Sequence, residues 1–217
     1  MSDFFKLNSM KTPFTTEQFF EVFKNYNSGI FPTQIFLFFL GLLLFFLVTS
    51  KIKRKNNYIG VILGLFWIWT GLVYHIIYFT EINKVALVFG SMFILEGIFI
   101  LIETFRKNCF EFTFKNGTDG YTGYFIMFFG LILYPLISYL TEGDPKTVIS
   151  LGLPCPSTIF TFGLFILSSS SLKKYLLIIP VLWSLIGLSA AINFGVYQDF
   201  MLIISAIVTL ILVFRKR

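Results

Sequence analysis

Residues 30–55 read IFPTQIFLFFLGLLLFFLVTSKIKRK. No charged side chain occurs between Ile30 and Ser50, and then Lys51, Lys53, Arg54 and Lys55 follow almost without a break. A helix that crosses a bilayer needs about 20 mostly apolar residues. A Lys/Arg cluster just past its end marks a cytoplasmic edge. A helix apolar on every side has no face to offer water, so this stretch is read as a membrane span.

The same pattern recurs along the chain. Tyr58–Phe79, Val85–Phe105, Gly123–Leu140, Ser157–Leu172, Tyr175–Phe194 and Phe200–Phe214 are the further candidates, giving seven spans. The fifth and seventh are short, and only Gly195-Val196-Tyr197-Gln198-Asp199 separates the sixth from the seventh. The expected fold is all-α, a polytopic transmembrane helical bundle over residues 30–217. Residues 1–29 precede it as a polar segment with no apolar core of the kind a cleavable signal peptide carries. Within that segment Thr15 and Gln18 have capping-box spacing. Phe19, Phe20 and Phe23 share one face, so the spacing predicts an amphipathic interfacial helix that serves as lid, anchor or docking helix.

Composition agrees. Of the 217 residues 56% are hydrophobic and 13% charged, whereas a soluble domain is about a quarter charged. A disordered chain lacks such apolar content. Two cysteines do not staple a secreted module. The net charge of +6 is no nucleic-acid signal, because it clusters at span ends. With seven spans, twelve of the 17 basic residues fall on one side: those after the first span, Arg106, Lys107, Lys115, Lys173, Lys174 and Arg215–Arg217. Lys6, Lys11, Lys24, Lys84 and Lys146 fall on the other, together with Asp3, Glu17, Glu21, Glu81, Glu142, Asp144 and Asp199. The positive-inside rule then places the amino terminus outside and the carboxyl terminus inside the inner (plasma) membrane. The expected partners are the lipid bilayer and a small solute or ion, with no nucleic acid and no protein partner specified.

Small residues mark close helix approaches. Gly60 and Gly64 form one small-xxx-small pair, and Gly187-Leu188-Ser189-Ala190-Ala191 forms another such stretch. Pro180 predicts a bend in the sixth span. Tyr74, Tyr78, Tyr124, Tyr134, Tyr139, Tyr175 and Tyr197 are read as interfacial anchors. Trp67 and Trp69 lie deeper, where their indole donors need partners.

Ionisable groups inside spans are costly and mark function or buried hydrogen bonding. Glu96 lies about 16 Å into the third span at 1.5 Å per residue, near the midplane. It is either a proton or cation site or a protonated acid bonded between helices. Glu103 reads as an interface acid near Arg106 and Lys107. His75 reads as a titrating relay or a neutral helix-to-helix contact, too far in depth from Glu96 for a direct bond. The strongest local feature is Gly152-Leu153-Pro154-Cys155-Pro156-Ser157-Thr158. If Pro156 opens a helix with Cys155 as its cap, the amides of Ser157, Thr158 and Ile159 point out unpaired and attract anions. Val148-Ile149-Ser150-Leu151 is apolar enough to dip into the membrane. His75, Glu96, Cys155, Thr158, Thr161 and Asn193 are the candidate polar pocket, with Ser189, Asn83 and Asp199 nearby. Cys109 falls on the opposite side from Cys155, which excludes a disulfide between them. No catalytic, metal or cofactor motif occurs, and a phosphate loop, zinc-protease motif and dinucleotide fingerprint are all missing.

The segments Pro13-Phe14-Thr15-Thr16-Glu17-Gln18-Phe19-Phe20, Trp69-Thr70-Gly71-Leu72-Val73-Tyr74-His75 and Ile82-Asn83 resemble motifs of a group of uncharacterised bacterial multi-pass membrane proteins, some labelled permeases. Gly152-Leu153-Pro154-Cys155-Pro156-Ser157-Thr158-Ile159-Phe160-Thr161-Phe162-Gly163, Leu182-Trp183-Ser184-Leu185-Ile186-Gly187 and Gln198-Asp199 extend that resemblance over most of the chain from Pro13. The resemblance implies a membrane bundle and gives no activity. Three readings remain: permease-like transport of a small solute or ion, a sensor or accessory subunit docking through residues 13–26, and an intramembrane enzyme acting on a lipid or thiol substrate.

Overall fold

A computed structural model describes residues 13–106, 111–114, 116–168 and 172–215. Asp3, Lys6, Lys11, Lys107, Cys109, Lys115, Lys216 and Arg217 lie outside them. Among the described residues the fold is all-α, with isolated bridges Phe112–Ser168 and Leu151–Leu153 and no strand. The helices are α1 (Thr16–Ile30), α2 (Thr33–Thr49), α3 (Lys55–Glu81), α4 (Ala86–Phe105), α5 (Thr118–Glu142), α6 (Pro154–Leu167), α7 (Lys174–Phe194) and α8 (Tyr197–Arg215).

Five of these, α3, α4, α5, α7 and α8, are long and apolar enough to cross a membrane. The pair α1 and α2 passes that test only together and is bent by 89°, which would make six. The bend falls at Phe31-Pro32, and the proline nitrogen has no hydrogen to continue the helix. The expected fifth span corresponds to α6, which has 14 residues and is too short to cross by itself. The outer surfaces stay apolar: Phe36, Phe39, Leu65, Ile98, Phe105 and Ile211 are all exposed.

α6 is the axis of the bundle. Of its residues only Cys155 is not fully buried. α5 packs along one side of it, α8 along another, and α3 and α7 complete its surroundings. These approaches need glycine. A Cβ on Gly163 would sit 2.6 Å from the Gly123 carbonyl oxygen, and one on Gly130 would sit 2.8 Å from that of Pro156. The predicted Gly60/Gly64 pair packs α3 on α4 in the same way: Gly60 faces Thr104, and Gly64 faces Gly97.

The bundle has a basic end, with Lys51–Lys55, Arg106 and Arg215, and an opposite end, with Glu81, Glu142 and Asp144. At the basic end Arg106 pairs with Glu103 at 2.6 Å, as their spacing predicts, and Arg215 pairs with Asp119 at 2.5 Å. Near the opposite end α1 starts from the expected capping box, with Thr15 and Gln18 bonded reciprocally. Its apolar face does not point away from the bundle. Phe19, Val22, Phe23, Tyr26 and Ile30 are buried against the protein. Pro180 falls in the first turn of the α-helical part of α7, just after its 3₁₀ start.

Gly97→Val should place methyl groups against the Gly64 carbonyl oxygen, 2.6 Å from the Cβ position. Overpacking of this kind costs about 1–3 kcal/mol. A lower thermal unfolding temperature in detergent is expected, with no change for Ile98→Val on the exposed face.

Candidate functional site

Between α5 and α6 the chain is not helical over residues 148–153, yet it is buried. Ile149, Leu151 and Leu153 are each 3% exposed or less. Gly152 takes φ +101°, a left-handed conformation open to glycine. This run descends halfway down the bundle, because Gly152 meets Thr70, the middle of α3. Irregular backbone at such depth must find partners inside the protein, and five side chains supply them. Asn27 Nδ2 donates to the carbonyls of Lys146 and Val148 at 2.8 and 2.9 Å. The amide of Ile149 donates to Ser138 Oγ, and that of Gly152 to Ser157 Oγ. The Gly152 carbonyl accepts from Tyr26 at 2.9 Å and shares the Thr70 hydroxyl, at 3.2 Å, with the Phe66 carbonyl at 2.8 Å.

Because the extended run takes half the height, α6 begins deep in the bundle and leaves space above its first turn. That space is a cavity of about 220 Å³. Its floor is Pro154 and Cys155, its sides carry Tyr74, Tyr134, Trp183 and Asp199, and its mouth has Asn83, Ser189 and Val196. α1 roofs it. Phe19 stacks on Phe194 with centroids 4.5 Å apart, Phe14 stacks on the same ring, and Phe23 stacks on Tyr74.

The polar centre of the cavity is Asp199, 1% exposed, which accepts from Tyr134 at 2.5 Å. Cys155 lines the same cavity as Asp199, Tyr134 and Trp183, and its thiol is a near neighbour of all three. Two irregular turns aim these groups. A π-helical segment at Thr70–Tyr78 precedes the 3₁₀ end of α3, and another at Phe129–Leu133 sits within α5. Pro135 lacks the amide that a regular helix would offer the Leu131 carbonyl, and the backbone widens there. Such widening rotates the next turn of the helix, so that Tyr134 faces inward.

The six residues singled out from sequence are not all brought together. Cys155 lines the cavity. His75 is fully buried behind its wall, in ring contact with Phe93 at 4.8 Å and Trp183 at 5.1 Å, and neither ring nitrogen has a hydrogen-bond partner. Glu96 is fully buried with both oxygens unpartnered, away from the cavity. Thr158 is buried with its hydroxyl unpartnered, while Thr161 accepts from Trp67 at 3.0 Å and donates to the Ser157 carbonyl. Asn193 donates to the Ser189 carbonyl on its own helix. His75 and Glu96 make no direct bond, as their depths require.

Two expectations need correction. Tyr74 and Tyr134 are not interfacial anchors but buried cavity walls, 3% and 0% exposed. The start of α6 offers no row of free amides. The helix opens at Pro154 with Leu153 as its cap residue, the Ser157 amide bonds the Leu153 carbonyl, and Pro154 and Pro156 carry no N–H. The thiol's neighbour is thus an acid and not an anion site. Among the described residues Cys155 is the free thiol. No group of three or more His, Cys, Asp or Glu among them could hold a metal ion. The sequence places Asp199 beside the candidate pocket, whereas Tyr134 and Trp183 are not among its candidates. The signals present were a proline inside a span and a loop acid with no basic neighbour in sequence.

Tyr26 joins the roof to the floor, since it also accepts from Trp69 Nε1 at 2.9 Å. Tyr26→Phe strands that indole and removes one bond to Gly152. The expected loss is about 1–3 kcal/mol of stability, read by thermal unfolding, with faster hydrogen exchange confined to residues 146–153.

No curated protein and no solved structure matches the chain. Residues 16–217 match one family model, which takes in α1, the buried run, α6 and every wall of the cavity from Phe19 onward, and the chain therefore belongs to DUF6064, a family of unknown function.

Proposed function

We propose that this chain is a multi-pass protein of the inner (plasma) membrane that binds a small solute or ion in the cavity above α6 and passes it across the bilayer, permease-like. The observation that carries the reading is the interrupted element. α6 spans about 21 Å at 1.5 Å per residue, against about 30 Å of hydrocarbon. The buried run before it supplies the missing half. Transporters place their sites where helices are interrupted near mid-membrane, with irregular backbone facing a cavity.

On this reading the buried run and α6 together make one pass and α2 makes another, so the chain passes seven times. The amino terminus is outside and the carboxyl terminus inside. The clustering of Lys51, Lys53, Arg54, Lys55, Arg106, Lys173, Lys174 and Arg215 at one end supports that orientation. Reporters fused to the two termini should appear in opposite compartments; the same compartment for both would overturn the topology.

The polar contact for the solute is Asp199 with Tyr134, and Glu96 has no place in the cavity wall. α1 turns its aromatic face to the cavity and leaves Glu17, Gln18 and Glu21 outward. That geometry supports a lid over a docking helix.

The test uses Cys109→Ser protein, which keeps Cys155 as its one thiol. A membrane-impermeant maleimide is applied to right-side-out and to inside-out vesicles. Transport expects Cys155 to be labelled from both surfaces. Labelling from one surface alone would overturn the transport step and leave a binding pocket. Labelling from neither would overturn the pocket as an accessible site.

A further inference from the structure

We infer that the cavity takes a small organic ammonium ion that carries an acceptor oxygen. The inference rests on the cavity being a solute site, as proposed above, and names the class of solute.

Asp199 is the starting point. Its carboxyl group is 1% exposed and faces the cavity. The ion pairs among the described residues are Glu103 with Arg106 and Asp119 with Arg215, both at the basic end of the bundle. Asp199 has no such partner. Tyr134 donates to Oδ1, and the Cys155 thiol is its other polar neighbour; neither brings positive charge. A buried carboxylate is retained where a cation or a full set of donors compensates it. The space beside it is where a cation fits.

The rest of the wall selects the kind of cation. A hydrated metal ion needs several oxygen ligands, and beyond the Tyr134 hydroxyl and the Cys155 thiol, with Asn83 and Ser189 at the mouth, the cavity lining is rings and aliphatic side chains. Tyr74, Trp183 and Phe194 present aromatic surface to the same space. Ring faces attract alkylammonium groups, and they do so most strongly where water is excluded. A second, independent observation points to the oxygen. Trp183 Nε1 is buried in the cavity wall and meets no nitrogen or oxygen acceptor, with the Cys155 sulfur as its polar neighbour. Buried indole donors are normally paired. A ligand with a hydroxyl or ether oxygen near its ammonium head satisfies both ends at once. The volume suits a small molecule: about 220 Å³, where a single water needs roughly 10–15 Å³ on the same measure.

Such an ammonium group has two sources, a free solute or the headgroup of a choline lipid, and the experiment separates them. The full chain is placed in nanodiscs of phosphatidylglycerol, which offers no ammonium. Three probes of matched shape are titrated by calorimetry: choline, its neutral carbon isostere 3,3-dimethylbutan-1-ol, and the anion 3,3-dimethylbutanoate. Choline is expected to bind at least tenfold more tightly than the alcohol, and the anion not at all. Asp199→Asn should abolish the preference for choline over the alcohol. Where that variant does not fold, the three probes on the natural chain decide alone. Repeating the titration in phosphatidylcholine discs assigns the source. Weakened choline binding there points to the lipid headgroup, unchanged binding points to a free solute, and either supports the ammonium class.

Equal binding of choline and the alcohol, or tighter binding of the anion, would overturn the inference and leave the cavity as a solute site of another class. No binding of any probe, with Cys155 still labelled from both surfaces, would overturn the ammonium inference alone. No binding together with an inert Cys155 would overturn both readings.

Discussion

The Gly152 carbonyl, buried halfway down the bundle and held by the hydroxyls of Tyr26 and Thr70, is where the architecture is decided. A helix satisfies its own backbone; an extended run cannot. Each amide and carbonyl between Lys146 and Leu153 that lacks a partner would cost free energy in an apolar interior. Asn27, Ser138 and Ser157 serve that need along with Tyr26 and Thr70. These partners come from four different helices, so the run fixes their relative positions as firmly as they fix the run. This is why α1 lies folded into the bundle: two of its polar side chains, Tyr26 and Asn27, hold backbone that no regular element pairs.

The cavity follows from the same constraint. An extended residue advances about 3.3 Å and a helical residue 1.5 Å, so six or so extended residues cover the height of a much longer stretch of helix. They are also thinner than a helix, and the volume a full-length α6 would fill stays open above Cys155. The surrounding helices do not collapse into it. α7 and α8 meet where Gly187, in the cavity lining, faces Leu202, and the Phe14, Phe19 and Phe194 stack bridges the mouth. Widened turns in α3 and α5 bring Tyr74 and Tyr134 to its sides. Packing density elsewhere is high, as the glycine contacts between α3 and α4 require.

Much of this was legible from particular residues. The run before Lys51 fixed a helix without a polar face. Thr15 and Gln18 marked the start of α1 because a capping box is a local interaction. Glu103 and Arg106 announced their pairing by one-turn spacing. Trp67 and Trp69 were read correctly as donors in need of partners, although not that the partners are Thr161 and Tyr26. The pocket was less legible. His75, Thr158, Thr161 and Asn193 fall at comparable depth in sequence, but depth along a helix says nothing of rotation about it. Tyr134 resembled an anchor because its distance from a span end was counted on a regular helix, and the widened turn before Pro135 altered its direction.

What the sequence by itself determined is the class of structure: apolar helices divided by charged connections, a capped amphipathic helix ahead of them, and a proline-flanked break at residues 152–156. These are properties of neighbouring residues, governed by backbone hydrogen bonding and side-chain transfer energies within one segment. Tertiary structure alone decided which polar groups meet. Asp199 and Tyr134 are 65 residues apart, and Tyr26 and Gly152 are 126 apart. Such pairs form because buried donors and acceptors must be satisfied by whatever helix rotation brings near. That rotation is fixed by packing across the whole bundle, which no single segment encodes.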